Sequence, residues 1–96
     1  MTVAVLESKH ERDLADAVKE AGGLAIKLPA SLYRGIPDRL LLLPGGRVFF
    51  VELKRLRGKP SVHQVRFRKI LLHLGMNHDI IEGPEQLQAW IDKHVK

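Results

Sequence analysis

An apolar hairpin in the middle of the chain constrains the fold more than any other segment. Four leucines, 40–43, lead into Pro44-Gly45-Gly46, and the apolar run 48–51 follows directly. Two apolar runs joined by a short glycine-containing turn predict a β-hairpin. We expect its arms over 38–43 and 47–54.

The segments on either side of the hairpin predict helices and short strands. Leu14, Val18 and Ala21 share one helical face, and Gly22-Gly23 ends that helix. Ser61 and Gln64 have the spacing of a capping box, in which each side chain bonds the other residue's backbone N–H. The predicted elements are a helix over 6–21, a strand over 24–28, a loop over 29–37, the two hairpin arms, a helix from the Ser61 cap to residue 74, a strand over 79–81 and a helix over 85–94.

This order, αβββαβα, predicts an α/β fold with a mixed sheet flanked by helices. The first three strands can form an antiparallel meander. The helix after residue 54 is long enough for a crossover to a parallel fourth strand. A length of 96 residues predicts a single domain over 1–96.

Composition narrows the class of protein. The chain is 45% hydrophobic and 28% charged, which is ordinary for a soluble globular domain. It has no cysteine, which excludes disulfides and thiolate zinc sites, and no apolar run approaches membrane-spanning length. We therefore expect a cytoplasmic protein with no membrane partner.

Three charges lie at the open end of the hairpin: Asp38, Glu52 and Lys54. If Pro44–Gly46 is the loop, Asp38 lies opposite Glu52, whereas a two-residue Gly45-Gly46 loop places Asp38 opposite Leu53. Both registers make the two acidic residues neighbours. Directly opposed carboxylates repel one another and destabilise a sheet. A divalent cation bound by both would offset the repulsion.

Strand periodicity places Lys54 on the same face as Glu52. Two carboxylates, a cation and an ammonium suit hydrolysis of a phosphodiester, since a metal ion activates water and neutralises charge on phosphoryl oxygens. Magnesium fits such an oxygen site best, and manganese is expected to substitute. The alternative is structural: a turn residue at Asp38 and an edge-strand charge pair at Glu52 and Lys54.

Positive charge is concentrated in one stretch. The net charge is +5, and no acidic residue occurs between Leu53 and His78, where seven of the 16 lysines and arginines lie. Such a distribution can build a one-sided basic surface for phosphate contacts, which position nucleic acid without reading sequence. The alternative is a solvated face with the side chains lying over the core. The expected DNA contacts are Arg55, Arg57, Lys59, Arg66 and Lys69, with Arg34 in the loop before Asp38.

Taken in order and spacing, these motifs resemble the VRR-NUC (virus-type replication-repair nuclease) family of the PD-(D/E)xK nuclease superfamily. Pro37-Asp38 and Glu52-Leu53-Lys54 supply the superfamily motif. The wider match covers about residues 5–82. It includes Glu7, Gly22-Gly23, Gly35-Ile36-Pro37-Asp38, Leu43-Pro44-Gly45-Gly46, Phe50-Val51-Glu52-Leu53-Lys54, and Ser61 with Gln64.

The resemblance implies a restriction-endonuclease-like αβββαβ core, with the last helix as an addition. Asp38, Glu52 and the Leu53 carbonyl would bind the metal, and Glu7 would complete its shell. Lys54 would position the nucleophilic water, and Gln64 would face the site. It also implies a homodimer acting on branched DNA in the manner of a Holliday-junction resolvase.

Several alternatives stay open. Glu11, four residues after Glu7 on the same helical face, is the second choice for the metal. Gln64 has the capping box as an alternative to a site role. The chain could instead cut flaps or single-strand junctions, or be a non-catalytic basic module that binds nucleic acid. A third possibility is an interaction domain that uses the hairpin to contact another chain.

Overall fold

The computed structural model describes residues 3–54 and 59–96, with side chains from Lys9 onward. Within this part of the chain the predicted αβββαβα order is confirmed. The elements are α1 (Val3–Glu20), β1 (Leu24–Lys27), β2 (Arg39–Leu43), β3 (Arg47–Lys54), α2 (Val62–His73), β4 (Asn77–Glu82) and α3 (Gly83–His94).

The four strands form one mixed sheet in the order β1-β2-β3-β4. The first three are antiparallel, and β4 pairs in parallel with β3 after the α2 crossover, as the sequence predicts. Leu43 pairs with Arg47, so the hairpin loop is Pro44–Gly46, and the alternative two-residue loop is wrong. One step beyond the last paired residues of the hairpin, this register sets Asp38 opposite Glu52.

The main core lies on the face of the sheet covered by α1 and α3. Leu14 and Val18 of α1 pack with the inward residues of the central strands and of α3. Alternation along the strands accounts for this face, since successive side chains point to opposite sides. The buried cluster is Leu14, Val18, Leu41, Leu43, Phe49, Val51, Ile81, Leu87, Trp90 and Ile91.

Helix α2 lies on the opposite face and buries only Leu71 among its apolar residues. The predicted capping box is present: Ser61 Oγ accepts from the Gln64 N–H at 3.2 Å, and Gln64 Oε1 accepts from the Ser61 N–H at 2.8 Å. Farther along the helix, Arg68 Nη1 donates to the His78 carbonyl at 2.7 Å. The contact ties α2 to β4, so Arg68 is turned towards the sheet.

Element boundaries differ from the predicted ones by a few residues. Asp38 precedes β2 rather than opening it, and β4 extends two residues earlier and one later because it pairs with β3 along six positions. Helix α3 begins at Gly83, with Pro84 in its first turn, where a missing N–H costs no helical bond. In the described part of the chain, no helix has both the length and the apolar character that crossing a membrane requires.

Candidate active site

Asp38 is held rigidly at the entrance to β2. Its backbone carbonyl accepts from the Leu28 N–H at 2.8 Å and from Arg39 Nη1 at 3.1 Å. Its Oδ2 accepts from the Leu53 N–H at 3.0 Å, which ties the carboxylate to β3. The residue before it, Pro37, is fully buried. The backbone of Asp38 is therefore held by the residue after β1 and by Arg39 of β2, and its carboxylate is held by β3.

Glu52 is a buried acidic side chain within the sheet. It lies near the end of β3, is only 3% exposed, and its Oε1 has no hydrogen-bond partner in the described part of the chain. Buried polar atoms in folded proteins are nearly always hydrogen-bonded, and a buried carboxylate is costly without a partner. This unsatisfied oxygen marks a place where a ligand would lower the free energy.

The electrostatics of the pair agree with its geometry. Burial first, and then the neighbouring Asp38 carboxylate, together raise the pKa of Glu52 from 4.5 to about 7. Lys54 opposes this by stabilising the charged form. The protein thus places two acidic groups side by side with too little positive charge from its own described residues to keep both ionised easily.

Lys54 lies on the same face as Glu52, as strand periodicity predicts. Its Nζ is 3.3 Å from Glu52 Oε2 and donates to Gln64 Oε1 at 3.1 Å. Since the same Gln64 oxygen also accepts from the Ser61 N–H, the capping role and the site contact coexist. The helix cap thereby fixes the position of the ammonium group.

The carboxylate oxygens of Asp38 and Glu52 are candidate ligands for a cation. The backbone carbonyl of Leu53, the residue between Glu52 and Lys54 in the chain, is a further candidate. No cluster of three carboxylate or imidazole side chains occurs among the described residues. Glu7 lies in α1, but its side chain is outside the described part. Glu11, the second choice, forms an ion pair with Arg39, with 2.7 Å between Glu11 Oε2 and Arg39 Nη2.

The predicted DNA-contacting residues divide into two groups. Arg55 and Arg57 lie outside the described residues. The others are exposed, and Arg34 and Arg66 meet at one pocket, whose further walls include Tyr33 and Phe67. An adjoining groove is lined by Arg66 and Lys69 among others, and Lys59 is exposed just before it. The described basic side chains follow the outer side of α2.

Two residues that support the candidate site and its adjoining pocket are not evident from the sequence. Arg39 is only 6% exposed, and it links Glu11 of α1 to the backbone of Asp38. The sequence feature that could have indicated Arg39 is an arginine at an inward-facing position of a strand that is otherwise apolar. Phe67 packs edge-to-face on Tyr33, with ring centroids 5.2 Å apart. Its signal is an aromatic residue between arginines in a basic helix.

Comparison with known proteins finds a sequence relative and related solved structures. The phage protein named "Putative nuclease p44", from Acyrthosiphon pisum secondary endosymbiont phage 1, is 39% identical over 77 residues, which are 80% of this chain and 81% of the relative. A solved structure described as "VRR_NUC domain" has a TM-score of 0.82 at 29% identity, covering 92% of this chain and 96% of that chain. No protein-family profile matches the chain.

A more distant structure is Archaeoglobus fulgidus Hjc, a Holliday junction resolvase from an archaeal hyperthermophile. Its TM-score is 0.55 at 21% identity, and the match covers 77% of this chain and 64% of Hjc. At this level of identity the likeness shows a shared fold. The predicted restriction-endonuclease-like α/β fold is thus confirmed by comparison as well as by topology.

Proposed function

Because this chain belongs to the VRR-NUC family of nucleases, we propose that it is a Mg²⁺-dependent endonuclease that hydrolyses phosphodiester bonds in branched DNA. One observation carries the proposal. Glu52 is buried beside Asp38 with an unsatisfied oxygen, and Lys54 lies on the same face. A cation bound between the two carboxylates would provide the partner that this buried oxygen lacks among the described residues.

The residues present fit a hard divalent cation. Carboxylate and carbonyl oxygens are the donors that Mg²⁺ prefers, and this ion is usually held by one or two carboxylates together with water and substrate phosphate. Asp38, Glu52 and the Leu53 carbonyl would hold it, and Glu7 would complete its surroundings. Mn²⁺ has the same preference for oxygen and should substitute. A bound cation would also favour the ionised form of Glu52.

When bound, the cation would supply Lewis-acid chemistry, lowering the pKa of water and neutralising charge on the scissile phosphate. The chain's own contribution is positioning. Lys54 has three N–H donors, of which Glu52 and Gln64 occupy two. The third donor has no partner among the described side chains, and we assign it to the attacking water. Gln64 keeps the ammonium in place by accepting one of its hydrogen bonds.

DNA would approach along the outer side of α2, where Lys59, Arg66 and Lys69 are exposed. Contacts between these side chains and phosphates give affinity without sequence readout, which suits a substrate recognised by its shape. We propose a homodimer, because two sites related by a two-fold axis match the paired cleavage points of a four-way junction. The fold shared with Hjc, itself a Holliday junction resolvase, supports this choice of substrate.

The test is cleavage of an end-labelled four-way junction beside flap, duplex and single-stranded controls, each with Mg²⁺, Mn²⁺ or EDTA. We expect paired nicks in the junction that require metal and disappear in EDTA. Preferential cutting of flaps or single strands would keep the nuclease and refute the junction preference. Metal-independent binding without cleavage of any substrate would refute the enzyme and favour a binding module.

A further inference from the structure

A pocket beside the proposed active site has features that neither metal binding nor phosphodiester hydrolysis uses. Its walls come from the loop before β2 and from one side of α2. The lining residues are Tyr33, Arg34, His63, Arg66, Phe67 and Ile70. Among these described residues there are two aromatic rings, two guanidinium groups and an imidazole, and none is acidic. We propose that this pocket binds one unpaired nucleotide of the DNA substrate, with its base stacked on Tyr33.

Tyr33 supplies the stacking surface. Its ring contacts Phe67 edge-to-face, at an interplanar angle of 64°, so Phe67 supports the ring in a defined orientation. The residue is nonetheless 58% exposed. A tyrosine that is both oriented by a second ring and open to solvent offers a flat apolar face. Aromatic faces of this kind bind bases of any sequence by stacking.

The charges around this ring select a nucleotide over other flat molecules. Arg34 and Arg66 come from different elements and meet at the same pocket, and both are exposed. A guanidinium group presents several donors in a planar fork that suits phosphate oxygens. The combination of an aromatic face with two arginines therefore matches a base together with its phosphate.

A close approach of the backbone ties the pocket to the active site. Gly35 has a φ of +84°, and a Cβ at this position would lie 2.1 Å from the His63 carbonyl oxygen, so only glycine lets the loop rest on the first turn of α2. The next helical residue, Gln64, contacts Lys54. Arg34 and Asp38 are four residues apart in the chain, so their Cα atoms lie within about 14 Å of one another. The bound nucleotide would thus lie a few nucleotides at most from the scissile phosphate.

The nucleotide should be unpaired because a base within a duplex has both faces covered by its neighbours. A base at a branch point, bulge or flap can leave the stack and present one face to the protein. The inference rests on the proposed function, since it names the feature of branched DNA that this nuclease would select. It predicts a preference for junctions that carry an unpaired nucleotide over fully paired ones.

The experiment measures binding in EDTA, where no metal-dependent cleavage occurs. A four-way junction with one unpaired 2-aminopurine at the branch point is compared with a fully paired junction, using fluorescence quenching and anisotropy. We expect the wild-type protein to quench the unpaired base and to bind its junction about tenfold more tightly. Tyr33→Ala should abolish the quenching and the preference, whereas Tyr33→Phe should retain both.

Leu32→Ala is the matched control, because Leu32 is a loop neighbour of Tyr33 with 61% exposure. It should behave as wild type. Equal affinity of the wild-type protein for the two junctions, or a preference that survives Tyr33→Ala, would overturn the inference. A change in oligomeric state of Tyr33→Ala, with DNA preference intact, would also overturn it by assigning the pocket to a second copy. Absence of cleavage in Mg²⁺ would count against the proposed function alone, since this binding assay needs no catalysis.

Discussion

Replacement of Glu52 by glutamine should stabilise the metal-free protein at alkaline pH. The carboxyl has a pKa of about 7 in the folded protein and 4.5 as its ordinary value, because burial and Asp38 both disfavour the charged form. Folding therefore binds a proton at this group. The stability that this bound proton contributes is fully present below pH 4.5 and is lost as the pH rises towards 7, because the ionised carboxylate then has to stay buried.

The magnitude follows from the difference between the two pKa values. At about 1.4 kcal/mol per pKa unit, the change from 4.5 to about 7 corresponds to on the order of 3 kcal/mol above pH 7. Glutamine keeps the shape of the side chain and cannot ionise, so E52Q should avoid this cost. The gain is a large part of the 5–15 kcal/mol that typically stabilises a domain.

Urea unfolding in EDTA at several values between pH 5 and pH 8 measures this difference. The transition midpoint of E52Q should exceed that of wild type by about 1.5 M at pH 8 and converge with it towards pH 5. Glu85→Gln, an exposed carboxyl in α3, controls for the amide substitution itself. Added Mg²⁺ should stabilise wild type and leave E52Q unchanged. An E52Q protein that is less stable than wild type at pH 8 in EDTA would refute the reasoning.

Three further predictions concern substitutions at the cap of α2, at two glycines and at Glu11. The first and the last separate effects on stability from effects on cleavage. Gln64→Ala and Ser61→Ala should each destabilise the protein by about 1 kcal/mol through loss of the cap, but only Gln64→Ala should slow cleavage, measured as single-turnover rates. Gly35→Ala should lower the free energy of unfolding by more than about 2 kcal/mol, because the added Cβ would lie 2.1 Å from the His63 carbonyl oxygen. Gly45 also has a positive φ but has nothing within 4 Å of an added Cβ, so Gly45→Ala should cost only about 1 kcal/mol. Equal losses of stability in urea unfolding would contradict this prediction. Glu11→Gln should lower the free energy of unfolding by about 2 kcal/mol, because the buried Arg39 loses its charged partner. The Mn²⁺ concentration that cleavage requires should stay unchanged. A higher requirement would assign this glutamate to the metal.

Local rules account for the parts of the fold that depend on neighbouring residues. The turn at Pro44–Gly46 and the apolar arms predict the hairpin, and counting outward from the turn brings Asp38 beside Glu52. The period of two along a strand places Lys54 on the same face as Glu52, where the structure brings the two charged groups to 3.3 Å. The cap at Ser61 is likewise a local motif and was predictable in full.

Contacts between distant elements were not predictable from these rules. The pairing of Glu11 with Arg39 depends on how α1 crosses the sheet, which no periodicity specifies. The contact between Tyr33 and Phe67 depends on the loop resting against α2. The early start of β4 at Asn77 has the same origin, because pairing with β3 overrides the low strand propensity of asparagine.

The most direct test of the central claim is a side-by-side cleavage assay of wild type and Glu52→Gln on a labelled four-way junction. Mg²⁺, Mn²⁺ and EDTA are compared at pH 8, with circular dichroism to show that both proteins are folded. We predict metal-dependent cleavage by wild type and a loss of at least about a hundredfold in E52Q, since this substitution removes a carboxylate that we propose binds the metal. Cleavage by E52Q at the wild-type rate would contradict the assignment of this buried carboxylate pair as the catalytic centre.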